Sequence, residues 1–233
     1  MSNDYKMKLY LVEMPASVLG IYGANKDRLA ARMRFLHPDA AASYMQMENA
    51  RRVICSDMYR SADSSLHAVQ AHRGAQWPAY SAHNFGLAID LDVSGTKKLN
   101  GFKTKLELDE YMMSNGWYCH VPPGYNRSSE SWHYNYLGPN PGKYLAKRTK
   151  RIRTWSHVAE ARISDVYSFN WKSMSVEEVQ THLKGLKIYS GAIDGKVGPL
   201  YDQAVKAFQR AWLLDVDGVV GPRTRRTLKF VCA

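Results

Sequence analysis

The chain has 233 residues, of which 45% are hydrophobic and 23% charged, and this composition excludes an intrinsically disordered protein. Its formal net charge of +11 favours a negatively charged partner, such as nucleic acid, anionic lipid or the acidic polymers of a bacterial envelope. No run approaches the roughly 18 apolar residues of a membrane span, and three widely spaced cysteines exclude a disulfide framework.

Helix and strand patterns alternate along the first part of the chain. Residues 26–35 and 38–51 have helical spacing, with a break at His37-Pro38 because the residue before a proline disfavours the helical conformation. Residues 52–58 are typical of a strand, and residues 61–72 are typical of a helix. The N-terminus does not resemble a secretion signal, so we expect that the chain has no leader of its own.

The same mixture continues further along the chain. Residues 87–93 alternate as a strand, 103–115 have helical spacing, and 132–137 are aromatic-rich and strand-like. This order predicts an α+β fold for a first domain at residues 1–142, which ends in a cluster of proline and glycine.

A basic segment follows the first domain. Residues 143–153 hold six Lys/Arg and no acidic residue, which predicts a solvated linker over residues 143–172. Contact between this segment and anionic envelope polymers is the alternative.

An internal repeat marks the C-terminal part of the chain. The pattern Ile-Asp-Gly-Lys-Val-Gly-Pro at 193–199 returns as Val-Asp-Gly-Val-Val-Gly-Pro at 216–222. Asp-Gly favours a tight turn, and Gly-Pro favours the start of a helix. With apolar residues at helical spacing before and after the turns, the repeat predicts a compact three-helix module at residues 173–233.

The densest chemical signal is the segment Ser-Ala-His-Asn-Phe-Gly-Leu-Ala-Ile-Asp at 81–90. His83 and Asp90 would face opposite sides of one continuous strand, but Gly86 allows a turn that brings both side chains to one centre. A carboxylate within an apolar strand is costly unless it is paired or binds a cation.

A second cluster, Glu130-Ser-Trp-His133, completes a candidate zinc site. His83, Asp90 and His133 supply the three protein ligands of a catalytic zinc site, which leaves a fourth position open. Glu130 is then the candidate general base. Taken alone, each of these four residues could have an ordinary structural role. Five other histidines lie in no motif that would pair them with a metal ligand or a catalytic residue: His67, His72, His120, His157 and His182.

The two motifs together resemble the family of zinc D-Ala-D-Ala carboxypeptidases and L-Ala-D-Glu endopeptidases that act on peptidoglycan. The resemblance covers about residues 52–137. It implies that His83, Asp90 and His133 bind Zn²⁺ and that Glu130 is the catalytic base. It also implies that Ser81 and Trp132, which belong to the motifs, lie where they can contact the substrate.

The family has an arginine in a Ser-Gly-Tyr-Arg-Ser element upstream of these motifs. Here the segment reads Ser56-Asp-Met-Tyr-Arg60-Ser61, so Arg60 matches the arginine, whereas Asp57 and Met58 stand in place of a single glycine. The resemblance implies that Arg60 holds a substrate carboxylate or the developing oxyanion, as a fixed guanidinium can.

The C-terminal repeat resembles a helical peptidoglycan-binding domain, on its two turns and the Ala-Val-Lys-Ala-Phe-Gln helix at 204–209. Together the resemblances imply a phage endolysin: a monomeric zinc endopeptidase with peptidoglycan as its partner. It would be made in the host cytoplasm and reach the wall through a holin-made lesion.

Three alternatives stay open on the sequence. A D-alanyl-D-alanine carboxypeptidase of wall maturation has the same motifs. A non-catalytic wall-binding zinc protein has no need of Glu130. A nucleic-acid binder explains the charge alone, and we expect none here because no recognition motif is present.

Overall fold

The computed structural model describes residues 9, 11–15, 34–71, 76–121, 123–124, 130–145, 155–167 and 173–232. Contacts divide the chain into two units: unit one contains residues 62–79 and 167–233, and unit two contains residues 9–61 and 80–166. Helices and short strands are mixed, which confirms the α+β prediction. Over the described residues, no helix is long and apolar enough to span a bilayer.

The elements in chain order are β1 (Val12–Glu13), β2 (Phe35–Leu36), α1 (Pro38–Ala50), β3 (Cys55–Asp57), α2 (Ala62–Gln70), a 3₁₀ helix (Ala82–Phe85), β4 (Ala88–Leu91), α3 (Val93–Asn100), α4 (Lys105–Ser114), β5 (Trp117–Cys119), β6 (His133–Tyr136), α5 (Gly142–Leu145), α6 (Trp155–Tyr167), α7 (Val176–Gly185), α8 (Pro199–Ala211) and α9 (Pro222–Val231).

Unit two is organised around a four-stranded antiparallel sheet in the order β3-β4-β6-β5. Helices α1 and α4 and the sheet bury apolar side chains, among them the fully buried Tyr44, Leu108, Ile89, Trp117 and Tyr134. Since alternate residues of a strand face opposite sides, β4 and β6 can present polar residues on the other face.

Helix α1 confirms the prediction for residues 38–51, and it begins where Pro38 provides the first helical position. The helix predicted at 26–35 is wrong at its end, because Phe35 lies in β2, which pairs with β1. Residues 26–33 lie outside the described part. The buried Leu36 and the ladder with β1 outweigh helical spacing here.

The strand predicted at 87–93 is shorter than expected. It ends at Leu91, because Asp92 caps α3 by accepting a hydrogen bond from the backbone N of Gly95 at 2.8 Å. An aspartate at the N-cap accepts a hydrogen bond from a backbone N–H in the first turn of the helix. The helix therefore begins at Val93, within the segment that the sequence predicted as a strand.

The segment expected as a basic linker contains part of a packed core. Helices α5 and α6 lie at its start and middle, and Tyr144 and Val158 pack with Leu137 in a small buried cluster. Residues 146–154 lie outside the described part. Helix α6, in the middle of the expected linker, is therefore packed within unit two.

Unit one contains the predicted three-helix module as α7, α8 and α9. These helices surround a core that includes Val179, Leu183, Val205, Phe208 and Leu228. The predicted Asp-Gly turns are present, with left-handed φ values of 70° at Gly195 and 76° at Gly218.

A buried glutamine holds each turn. Gln180 donates to Asp194 Oδ1 at 2.8 Å and accepts from the backbone N of Asp194 and Gly195. Gln209 repeats this arrangement on the second turn: it donates to Asp217 Oδ1 at 2.8 Å and accepts from the backbone N of Gly218. The repeat therefore extends from the turns into the helices.

Candidate metal centre

A 3₁₀ helix places His83 next to the sheet. Ser81 caps this helix, and Gly86 ends it with a left-handed φ of 65°. A Cβ at Gly86 would lie 2.6 Å from the backbone N of His37, so the turn requires glycine both for its conformation and for space. The chain then enters β4, which carries Asp90.

Sheet register brings the other two predicted ligands together. Asp90 on β4 lies directly opposite His133 on β6, so their side chains share a face. His83 Nε2 lies 3.2 Å from Asp90 Oδ1 and 3.1 Å from His133 Nδ1, and His133 Nδ1 lies 3.0 Å from Asp90 Oδ1. Among the described residues, these three form the one group whose ligand atoms converge in this way.

The outer ring nitrogens show which atoms are free to ligate. His83 Nδ1 contacts the backbone O of Met58, and His133 Nε2 contacts Asn135 Oδ1 at 3.2 Å. Both partners are acceptors, so both outer nitrogens donate. The inner nitrogens, His83 Nε2 and His133 Nδ1, then present lone pairs to each other and to the Asp90 carboxylate.

Three converging acceptors without a donor repel one another unless a cation lies between them. Donors about 2.0–2.1 Å from a tetrahedral zinc are about 3.3 Å apart, which is close to the observed separations. Two imidazoles and a carboxylate are also a ligand set that zinc accepts. The residues present therefore fit Zn²⁺.

The electrostatics of the centre favour positive charge. Burial alone would lower the pKa of His83, but the charge of Asp90 outweighs it and raises that pKa above its ordinary value. Burial alone would raise the pKa of Asp90, but His83 and His133 hold it far below its usual range. Both shifts follow from the close approach of the two imidazoles to the Asp90 carboxylate.

Arg60 lies at the β3 side of the centre. Its Nη2 pairs with Asp57 Oδ2 at 2.5 Å and lies 3.9 Å from Asp90 Oδ2. Its backbone N donates to the backbone O of His83 at 3.1 Å, and its backbone O accepts from Asn84 Nδ2. Asp57, where the sequence departs from the family pattern, is thus the residue that orients the guanidinium.

The turn before β6 carries the remaining predicted residues. The backbone N of His133 donates to the backbone O of Glu130 at 3.1 Å, which closes the turn. Trp132 is exposed over 42% of its surface. An exposed indole next to a ligand is free to stack on a bound molecule.

Ser81 contacts the protein rather than an open surface. It is buried, and its Oγ accepts a hydrogen bond from the backbone N of His83 at 3.3 Å. Its backbone N donates to Asn84 Oδ1, which completes a capping box. These contacts give Ser81 a part in orienting His83.

His120, which showed no partner pattern in the sequence, lies in this site. Its backbone N donates to the backbone O of His133 at 2.8 Å, and the two ring centroids are 5.9 Å apart. Burial lowers the pKa of His120, the His133 charge lowers it further, and Glu130 raises it. The two histidines are 13 positions apart in the sequence. Their contact depends on the pairing of β5 with β6, which the sequence pattern does not show.

Comparison with known proteins finds a family match in the C-terminal part of the chain. Residues 172–228 match the family described as "Putative peptidoglycan binding domain". Over 56 residues the chain is also 38% identical to the N-acetylmuramoyl-L-alanine amidase CwlM of Mycobacterium tuberculosis, which is 24% of this chain and 14% of that protein.

Two longer matches are more distant. The chain is 28% identical over 117 residues to a D-alanyl-D-alanine carboxypeptidase of Enterococcus faecalis, covering 47% of this chain and 43% of that protein. A solved structure of the LdcB LD-carboxypeptidase aligns with 68% of this chain and 80% of its own, at 17% identity and a TM-score of 0.42. The chain spans less than half the length of both curated relatives.

Proposed function

We propose that this chain is a zinc-dependent peptidase that hydrolyses an amide bond in the peptide part of bacterial peptidoglycan, and that residues 173–233 bind the wall. The convergence of three acceptor atoms beside Glu130 carries the proposal. The match of residues 172–228 to a peptidoglycan-binding domain and the resemblance to a D-alanyl-D-alanine carboxypeptidase support the wall as substrate.

His83 Nε2, Asp90 Oδ1 and His133 Nδ1 would hold the zinc ion. When bound, zinc supplies a Lewis acid that polarises a carbonyl group and lowers the pKa of water. Met58 and Asn135 fix the ring orientations of the two histidines through the outer nitrogens.

Glu130 serves as the general base in this proposal. Its carboxylate accepts a proton from the attacking water as the water oxygen bonds to the amide carbon. It then gives the proton to the amide nitrogen as the carbon–nitrogen bond breaks, so the products are a carboxylic acid and an amine.

The other predicted residues have supporting roles. Arg60, which pairs with Asp57 and lies 3.9 Å from Asp90 Oδ2, would hold a substrate carboxylate or the developing oxyanion. Ser81 orients His83 through its cap. Trp132 offers an exposed face for the substrate.

We further propose an endopeptidase of the phage endolysin kind, since breaking the mesh requires cleavage of stem peptides or cross-links rather than of free termini. The second candidate is a D-alanyl-D-alanine carboxypeptidase, which the E. faecalis relative favours by its name. The two differ in the bond cleaved.

Mass spectrometry of purified sacculi and soluble muropeptides after digestion tests both candidates. We expect new fragments in the presence of zinc and none after chelation. A new amine within the stem or cross-link supports the endopeptidase, whereas loss of a terminal alanine alone supports the carboxypeptidase. Zinc binding without any cleavage would contradict the proposed peptidase and favour a non-catalytic wall-binding zinc protein.

A further inference from the structure

One row of polar side chains crosses the sheet of unit two. Asp57 on β3 pairs with Asp90 on β4, and Asp90 pairs with His133 on β6. The hydrogen bond from His120 N to His133 O extends the β5–β6 ladder one residue beyond the Cys119–Tyr134 pair. Residues directly opposite each other share a face, so His120 ends the row on the face of the metal centre.

The two ends of this row differ in what their side chains contact. At the β3 end, the guanidinium of Arg60 pairs with Asp57 and lies near Asp90, so it balances two carboxylates. At the β5 end, the His120 imidazole is partly buried and, within the described part of the chain, makes no hydrogen bond. Its ring lies 5.9 Å from the ring of His133 and within the electrostatic reach of Glu130.

Amide hydrolysis needs two different groups beside the metal. One accepts the proton of the attacking water, and the other stabilises the negative charge that grows on the carbonyl oxygen. Glu130 is suited to the first task. Arg60 lies at the β3 end of the row, where it also pairs with Asp57, so the ring of His120 is the group at the opposite end that can offer a further N–H beside Glu130.

We propose that His120 is a further catalytic residue, which donates a hydrogen bond from its ring to the carbonyl oxygen of the scissile amide. The inference rests on the proposed function and assigns a residue to it. The donor acts only as charge develops on the oxygen, so its removal lowers kcat more than it raises KM.

Two substitutions separate donation from packing. His120→Phe keeps a ring but removes the donor, whereas His120→Asn restores a donor in a smaller side chain. On a soluble muropeptide that the wild-type chain cleaves, we expect His120→Phe to lower kcat by about 10²-fold, the usual effect of losing one oxyanion donor. We expect KM to change by less than about twofold, and His120→Asn to recover about a tenth of the wild-type kcat or more.

Two readouts do not depend on turnover. Zinc content should stay at the wild-type level in both variants. A phosphinic acid analogue of the cleaved bond, titrated calorimetrically, should bind His120→Phe more weakly in proportion to the loss of kcat/KM. His67→Phe is the matched control, because it makes the same change at an exposed position of α2 and should leave all readouts unchanged.

Each failure has a distinct meaning. An active wild type whose His120→Phe variant matches it contradicts the inference alone. A loss of kcat in His120→Asn that is larger than the loss in His120→Phe would show that ring packing matters rather than donation, and loss of zinc would show an effect on the ligands. A wild-type chain that binds zinc but cleaves no muropeptide contradicts the proposed function and, with it, the role of His120.

Discussion

The metal centre and the turns of the C-terminal module use buried polar side chains in opposite ways. Around each turn every donor of the buried glutamine has an acceptor: Gln209 donates to Asp217, to the backbone O of Val219 and to Thr224, and it accepts from Gly218. At the metal centre, two imidazole nitrogens and one carboxylate oxygen lie 3.0–3.2 Å from one another, and in the neutral form of both rings with the outer nitrogens protonated, all three atoms are acceptors.

This difference distinguishes a structural polar network from a binding site. A buried polar group whose hydrogen bonds are complete stabilises one conformation and has nothing left for a ligand. A cluster of acceptors that lacks a donor is stable only when a proton or a metal cation lies among them. Buried polar side chains therefore maintain the fold in one region, and in the other they form a cluster that fits a metal ion.

The largest expected effect follows from removing one of the converging acceptors. We expect His133→Ala to lose both zinc and activity, because the site then has two protein ligands instead of the three that a catalytic zinc needs. Metal analysis of the purified chain and digestion of muropeptides measure the two losses. His67→Ala, at an exposed position, should keep both. A fully active His133→Ala variant without metal would show that the acceptor cluster is not the catalytic centre.

A somewhat smaller effect distinguishes a base from a ligand. Glu130→Ala should keep one zinc per chain but lower kcat by at least about 10²-fold, the usual contribution of a positioned general base. Glu110→Ala, exposed on α4, is the matched control. If the Glu130→Ala variant loses its zinc together with its activity, the carboxylate is a ligand and the roles proposed for the cluster need revision.

The sequence predicts those parts of the centre that are close together along the chain. The His83-Gly86-Asp90 spacing is local, and the turn at Gly86 is a consequence of glycine's freedom at positive φ. The pairing of Asp90 with His133 was expected only from the family motif, because 43 residues separate them.

His120 shows what such reasoning misses. It carries no local signal, and its place beside His133 depends on the register of β5 against β6. Similarly, Phe35 has helical neighbours in sequence but pairs with β1, so a tertiary contact overrides the local pattern. Long-range pairings of this kind are invisible to periodicity.

The hydrogen bonds of Gln209 in the C-terminal module can be tested by removing its side chain. Gln209→Ala leaves the backbone N of Gly218 and the carbonyl of Val219 without their partner, which costs about 1–3 kcal/mol. We expect amide exchange at the second turn to accelerate by about tenfold or more, and binding to purified sacculi to weaken. Gln203→Ala, exposed on the same helix, is the control. Unchanged exchange at the turn would mean that the glutamine network does not stabilise it.

The smallest expected effect concerns the segment of unit one that lies between Arg60 and Ser81 in the sequence. Buried Arg226 on α9 donates from Nε to the backbone O of Ala79 at 2.6 Å, and the guanidinium of Arg223 lies 6.0 Å from the Trp77 ring. Ala79 has a left-handed φ of 72°, a strained conformation for a residue with a Cβ, which persists only where contacts hold it.

Arg226→Ala should therefore destabilise this segment by about 1.5 kcal/mol, the contribution of a hydrogen bond from a charged donor. Amide exchange at residues 76–79 should accelerate by about tenfold, whereas zinc content should not change. Arg210→Ala removes the same charge from an exposed position of α8 and should leave the exchange unaltered. If Arg226→Ala also weakens zinc binding, the strained Ala79 influences His83 through the few residues between them.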